Sequence, residues 1–333
     1  MSTKPAVSVV IATRDRPASL ARLLRCVKNQ DLRTIECIVV DDGSGDETVA
    51  AYDAIWAGLD ERFRLLLPAA PLQQAGGPSR ARNRGINAAR GKFIAFCDDD
   101  DLWVRGDHLS VALRSLERHG GDLFFANIQT SRGGRIIGAD FYGAARKPLT
   151  RRPLAGEADI FEVGRADRAR AVKQMFLHCD SLVVSRALLL GCGLFWEKLS
   201  MAEDRDLGLR LLDRAEKVLY RSTVAAEYDR TAPVGLCKAY SEDEIRQFVF
   251  LAMMHAETQM QDGALRSVAR GYRAWMLVEL AQSAREAGRP DQARELALQS
   301  LLLRPTAAAL RLAFRTAFAR EPALGLQNRA QAN

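Results

Sequence analysis

The segment Phe93-Ile94-Ala95-Phe96-Cys97-Asp98-Asp99-Asp100-Asp101-Leu102-Trp103 carries an apolar run straight into four consecutive aspartates. The run reads as a buried strand. No fold needs so much charge at a strand's end. Adjacent carboxylates repel one another, and burying them unpaired is costly, so they should face water, a cation, or both. A hard divalent ion with oxygen ligands is the natural remedy.

Working outward, the same plan recurs. Val7 to Ala12 is an apolar run rich in valine, read as a strand buried on both faces, and Thr13-Arg14-Asp15-Arg16-Pro17 breaks it with a proline placed to open a helix. Leu20, Leu23, Leu24 and Val27 then fall at i, i+3, i+4 and i+7, one apolar helical face. Ile35 to Val40 repeats the strand and ends in Asp41-Asp42-Gly43-Ser44-Gly45-Asp46, a turn before the helical pattern Glu47 to Trp56. Phe63 to Leu67 reads as a third strand, Ser79 to Ala89 as a helix, Lys92 to Cys97 as the fourth strand, and Leu109, Ala112, Leu113 and Leu116 as a further helical face. Strand and helix in strict alternation predict an α/β fold with a parallel, doubly wound sheet. Ligands bind such sheets beyond the carboxyl ends of the strands, where Thr13, Asp41-Asp42 and the aspartate run stand.

Asp122 to Ile128 reads as a fifth strand. Residues 130 to 172 lose periodicity and gain arginine, glycine and proline, which predicts a long surface insertion. Order returns with Phe176 to Ser185 and with Ser200 to Leu211, a helix whose first turn is acidic, as the helix dipole prefers. From about Ser241 the pattern is helical, with Gly288-Arg289-Pro290 as a break, and the pair over 271 to 305 resembles one tetratricopeptide unit, which must pack on its neighbours to be stable. The expected organisation is a catalytic domain over 1–235, a helical module over 236–325 and a tail over 326–333. Leu310, Phe314 and Phe318 form one stripe of a basic amphipathic helix, suited either to an anionic membrane or to packing on the helical module.

The chain has 333 residues, with Lys+Arg at 48 against Asp+Glu at 41 and a net charge of +7. The basic residues are mostly scattered arginines, which suits phosphate-bearing ligands or anionic membranes and gives no nucleic-acid patch. Six cysteines form no C-x-x-C pair, so a reduced, cytoplasmic protein is expected, soluble or peripheral to a membrane.

The chemistry follows from residue types. An Asp-x-Asp at a strand end can hold Mg²⁺ or Mn²⁺ while the ion keeps waters and diphosphate oxygens, and the run offers two such frames, Asp98/Asp100 and Asp99/Asp101. The turn at Asp41 to Gly45 is not a dinucleotide fingerprint, because Thr48 replaces the third glycine and two carboxylates stand where a pyrophosphate would approach. Gly76-Gly77-Pro78-Ser79-Arg80-Ala81-Arg82-Asn83-Arg84 sets a loop before a helix start rich in guanidiniums, as a phosphate site requires.

Val7 to Thr13, Asp41-Asp42-Gly43-Ser44, Ala81-Arg82-Asn83, the aspartate run and Glu203-Asp204 occur in the order found in family 2 inverting glycosyltransferases, and the chain resembles that family over residues 5 to 230. The resemblance implies a GT-A fold of the bacterial type with a C-terminal helical extension, and a nucleotide-diphosphate sugar donor, UDP favoured. It implies Asp100 as direct ligand to Mn²⁺ or Mg²⁺ with Asp98 beside it, and Asp98 and Asp99 near the ribose. It places Asp42 on the nucleotide base next to Thr13, and brings Arg82 and Asn83 into the nucleotide-sugar site. Asp204 becomes the base that deprotonates the acceptor hydroxyl of a saccharide or lipid-linked acceptor, with Glu203 and Trp196 on the acceptor side.

Departures bear on this. Relatives carry Tyr-Arg-x-His near the end of the catalytic domain, whereas Tyr228-Asp229-Arg230 is followed by Thr231-Ala232-Pro233, so no third metal ligand is identified. His178, on an apolar stretch, reads as a packed core residue. A glycosyltransferase-like domain that binds its donor or a partner without turnover is the alternative. A nucleotidyltransferase would need a glycine-rich loop directly after the first strand, which Thr13 to Pro17 lacks.

Overall fold

The computed structural model describes residues 4–68, 76–231 and 240–317. The expected domain boundary at 235/236, Ala232-Pro233, Phe318 and the 326–333 tail lie outside them. Strand β1 (Val7–Thr13) pairs in parallel with β2 (Ile35–Asp41) and β4 (Phe93–Phe96), and β2 pairs in parallel with β3 (Phe63–Leu66). Every residue of β2 and β4 is buried, as apolar strands covered by helices on both faces require. The helices of this half are α1 (Pro17–Lys28), α2 (Asp46–Trp56), α3 (Pro78–Ala88) and α4 (His108–His119). Helix α1 buries Leu20, Leu23, Leu24 and Val27, the face its spacing predicts. Thr13 and Asp41 are register partners at the carboxyl ends of β1 and β2, so the strand-end motifs come side by side.

Beyond β4 the sheet is mixed. Strand β9 (Leu182–Ser185) runs antiparallel to both β4 and β6 (Leu123–Arg132). Strand β10 (Val218–Asp229) lies parallel to β6 and antiparallel to the short β5 (Leu102–Trp103). The order across the sheet is β3-β2-β1-β4-β9-β6-β10-β5. The antiparallel β9 and the long β10 fall outside the strand-helix alternation read from the sequence.

Residues 130–172 are not the expected surface insertion. Strand β7 (Arg135–Gly138) folds back on β6, and β8 (Ile160–Glu162) joins the sheet on β10. Tyr142, Ala145, Leu149, Ile160 and Val163 are buried in the core. The period disappears there because α5 (Arg146–Leu149), β8 and α6 (Arg165–Ala171) are too short to show a repeating face, and each buries only a few side chains.

Helices α7 (Arg186–Gly191) and α8 (Glu203–Arg214) precede β10, and among the described residues four helices follow it: α9 (Glu242–Gln259), α10 (Gly263–Glu286), α11 (Pro290–Leu303) and α12 (Ala307–Ala317). Ser241 and Glu244 form a reciprocal capping box that starts α9, and the Asp262 carboxylate caps α10. Each of these helices packs on the next, while α9 also packs on α8 and α10 on α6. Ala252, Met253 and Ala256 of α9 belong to the same buried core as the sheet. In α12 the buried face is Ala309, Leu312 and Ala313, against Val278, Ala281 and Ala297. Leu310 and Phe314 are 62% and 67% exposed, so their stripe is not the one that packs on the helices. No helix among the described residues is long and apolar enough to cross a membrane.

Candidate active site

The turn after β2 separates two adjacent aspartates. Asp41 serves the turn itself: its Oδ1 accepts the Gly43 and Ser44 N–H groups at 2.9 Å, and its Oδ2 accepts the Ser44 and Tyr52 hydroxyls at 2.5 Å. Gly43 allows this at a φ of 87°, where a side chain would be strained. Asp42 points across to the loop before α3, and its two oxygens accept Gly76 N–H at 3.0 Å and Gly77 N–H at 2.8 Å. Burial raises its pKa, against the opposing pull of those two N–H groups.

The aspartate run alternates. Asp99 and Asp101 are buried, whereas the side chains of Asp98 and Asp100 keep 32% and 25% exposure and form the open Asp-x-Asp frame. Asp99 Oδ2 accepts the Thr13 hydroxyl at 2.7 Å, which ties the ends of β1 and β4 together. Arg16, at the start of α1, reaches Asp99 at 2.8 Å and Asp100 at 2.7 Å. Burial, then the Asp98 charge, pushes the Asp100 carboxyl up to about 7 despite Arg16. Such crowded, half-open carboxylates are chemically suited to a divalent cation, which would relieve the repulsion.

Asp101 turns inward. Its Oδ1 accepts Asp229 N–H at 2.7 Å, and it shares a side-chain hydrogen bond with the fully buried Asp180. Asp180 in turn accepts Asp98 N–H at 2.7 Å and pairs with His178 Nδ1 at 3.1 Å. Burial alone would lower the pKa of His178, but the Asp180 charge outweighs it and holds the imidazole at about 9. His178 is thus buried, as expected of a core residue, and charged, which its apolar surroundings in sequence do not reveal. Asp101, His178 and Asp180 bring ligand atoms within 4.8 Å of one another. Their bonds to each other and to backbone N–H groups make them the foundation of the aspartate run.

Arg82 joins the two halves of the cleft. From α3 its guanidinium reaches Asp98 Oδ1 at 2.5 Å and Glu203 Oε1 at 2.7 Å. Its face lies 5.3 Å from the Phe195 ring centroid. Glu203 and Asp204 open α8, and the preceding Ala202 has a φ of 64°, a left-handed conformation costly for alanine. Strain of this kind beside a carboxylate pair is common at functional sites. Burial raises the pKa of both acids, against Arg82 for Glu203 and against Arg205 and His178 for Asp204. Asp204 Oδ1 accepts Arg205 N–H at 2.7 Å.

Asn83 sits beside Arg82 but faces the loop after α7. Its amide donates to Phe195 O at 2.9 Å and Glu197 Oε1 at 3.0 Å, and its oxygen accepts Phe195 N–H at 3.0 Å. With these bonds filled, Asn83 clamps the 195–197 loop against α3. Trp196, on that loop, stacks on His255 of α9 with centroids 4.2 Å apart and planes 8° apart. Thr13, Asp98, Asp99, Asp100, Arg82 and Glu203 are therefore linked by direct contacts, while Asn83 and Trp196 connect to the same network through the loop. Sequence reasoning missed Arg16 and Asp180. Arg16 lies three residues past Thr13 and carried a readable signal, a cation beside a strand-end motif, whereas Asp180 lies 82 residues from the Asp98 N–H that it accepts and carries no local signal.

Residues 8–153 match the family model described as glycosyl transferase family 2. Among curated proteins, the chain is 36% identical over 134 residues to the succinoglycan biosynthesis protein ExoO of Rhizobium meliloti, covering 40% of this chain and 36% of that protein. It is 33% identical over 102 residues to the GalNAc(5)-diNAcBac-PP-undecaprenol beta-1,3-glucosyltransferase of Campylobacter jejuni, covering 31% of this chain and 32% of that protein. The chain thus spans about a third of the length of these curated relatives. The crystal structure of S. aureus TarS 1-349 in complex with UDP-GlcNAc shares the fold, with a TM-score of 0.68 and 17% identity over 93% of this chain and 88% of that one. The matched segment contains β1, the Asp41-Asp42 turn, Arg82 and the whole aspartate run, so residues 8–153 are those of a glycosyl transferase family 2 segment, while the chain as a whole has a GT-A fold with a helical extension.

Proposed function

We propose that this chain is an inverting glycosyltransferase that moves a sugar from a nucleotide-diphosphate sugar, UDP favoured, to a hydroxyl of a saccharide or lipid-linked acceptor. The observation that carries this reading is the Arg82 bridge, one buried guanidinium bonded to Asp98 on the donor side and Glu203 beside the base. In this reading residues 1–235 form the catalytic domain and 236–325 a helical module. Asp42 and Thr13 border the nucleotide base, and Asp98 and Asp99 the ribose and diphosphate. Asp98 and Asp100 would hold Mn²⁺ or Mg²⁺, which when bound offsets the diphosphate charge as the bond to the anomeric carbon breaks. Asp204 takes the proton of the acceptor hydroxyl, and its raised pKa brings it closer to the range of an effective base at neutral pH. A single displacement inverts the anomeric carbon.

The relatives bear on the setting. One is named for succinoglycan biosynthesis and another for a glucosyl transfer to an undecaprenol-linked acceptor, which supports a role in cell-surface polysaccharide or glycoconjugate synthesis; in this reading the enzyme works in the cytoplasm, at the inner face of a membrane. The test is a thermal-shift screen of UDP-, GDP- and dTDP-sugars with and without Mn²⁺, since a ligand that binds the native state raises Tm by mass action. A metal-dependent rise with one nucleotide class, followed by transfer to an acceptor, is expected. No rise with any of them overturns the reading, and a rise without transfer turns it to the binding-only alternative.

A further inference from the structure

We propose that His255, on the helical module, is a positioning residue for sugar transfer, so that α9 forms part of the active site rather than an appendage. The proposal rests on the functional reading above. His255 Nδ1 donates to Asp206 Oδ1 at 2.7 Å, and Asp206 is completely buried on α8, two residues after Asp204. The other Asp206 oxygen accepts from Arg210 Nε at 3.1 Å, and Arg210 reaches on to Cys192 O at 2.6 Å and Leu194 O at 2.8 Å. Arg210 is itself 2% exposed. The opposite role of the same imidazole is its flat stack against Trp196.

One side chain thus touches both parts of the acceptor side. Through Asp206 it fixes how α8 sits, and with it the place of Asp204. Through its ring face it fixes Trp196, whose loop is held from the other direction by Asn83 and Arg210. A buried carboxylate whose partner is removed seeks another, so loss of His255 frees α8 to shift and the Trp196 plate to tilt. Among the described residues, the contacts that hold the donor-side aspartates come from elements other than α9. Asp98, Asp99 and Asp100 are held by Arg82, Thr13 and Arg16. His255 therefore governs acceptor use and proton removal while leaving donor binding alone.

Three variants separate these roles. His255→Ala removes both contacts, His255→Asn keeps a donor near the Nδ1 position, and His255→Phe keeps the stack. Each is assayed for donor affinity by calorimetry, for kcat, for acceptor KM and for Tm. The expected result for His255→Ala is a fall of about tenfold or more in kcat/KM for acceptor, with donor affinity within about twofold of wild type. His255→Asn restores kcat more than acceptor KM, and His255→Phe restores acceptor KM more than kcat. Unchanged acceptor kinetics in His255→Ala overturn the proposal, as do losses in all three variants that follow Tm alone or include donor affinity. If His255→Ala does not fold, the opposite restoration patterns of the other two variants decide it. Absence of transfer in wild type counts against the functional reading, not against the contact.

Discussion

At the end of β4, Asp98 and Asp100 are met by cations from their own chain, Arg82 at 2.5 Å and Arg16 at 2.7 Å. At the start of α8, Asp204 accepts the N–H of its neighbour Arg205, and its companion Glu203 takes the guanidinium instead. Both regions contain crowded, partly buried acids, yet the proposed function gives them different work. Carboxylates that are to hold a cation and a diphosphate need positive charge nearby to offset part of their mutual repulsion until those ligands arrive. A carboxylate that is to take a proton needs open lone pairs and a raised pKa. Arg82 touches both regions and gives each carboxylate pair one shared counter-charge.

The comparison breaks most visibly at Asp204. Asp204→Asn should lower the transfer rate roughly 10²–10⁴-fold, the usual worth of a positioned base, measured as kcat under saturating donor and acceptor. Undiminished turnover would place the base elsewhere. Removing the shared counter-charge comes next. Arg82→Met leaves Glu203 and Asp98 without their cation and should destabilise the fold by up to about 3–5 kcal/mol, less a discount for the partly exposed Asp98, read from denaturant midpoints. A neutral result would mean the bridge does not couple the regions.

A pH titration sharpens the donor side. Asp100 has an ordinary value of 3.8 and rises to about 7 in the fold, so without metal the folded state holds this proton more tightly than the unfolded chain does. Stability should therefore fall as pH rises from about 4 to about 7 and level off above that. In chelator, Asp100→Asn should remove about 1–3 kcal/mol of that slope, allowing for partial solvent screening. A slope that persists in the variant would assign it to another group. The smallest effect is expected at the strand ends, where Thr13→Val deletes the bond to Asp99 and should cost about 1 kcal/mol in unfolding free energy, with a severalfold weaker donor affinity.

What could be read in advance follows the same division. The parallel half was legible because apolar runs such as Val7 to Ala12 have no use outside a covered strand, and because charge at Asp41-Asp42 and Asp98 to Asp101 serves no structural need. The alternation at the run itself was not legible: four identical residues look equivalent until the turn closed by Asp101 N–H on Asp98 O and the bonds to Thr13, Asp229 and Asp180 turn two inward and leave two outward. Asp180 and His178 could not be paired with the run, because their partners lie about eighty residues away in sequence and meet it only through the antiparallel β9. Asn83, expected in the nucleotide-sugar site, also clamps the Phe195 backbone, a contact its motif does not announce.

The central claim is that donor binding and proton removal belong to separate regions joined by Arg82. Calorimetric titration of a UDP-sugar with Mn²⁺ into wild type, Asp100→Asn and Asp204→Asn tests it most directly. The account predicts that Asp204→Asn binds donor as wild type does while Asp100→Asn loses the metal-dependent part of the affinity. Donor binding abolished in Asp204→Asn, or metal-dependent binding intact in Asp100→Asn, would contradict it.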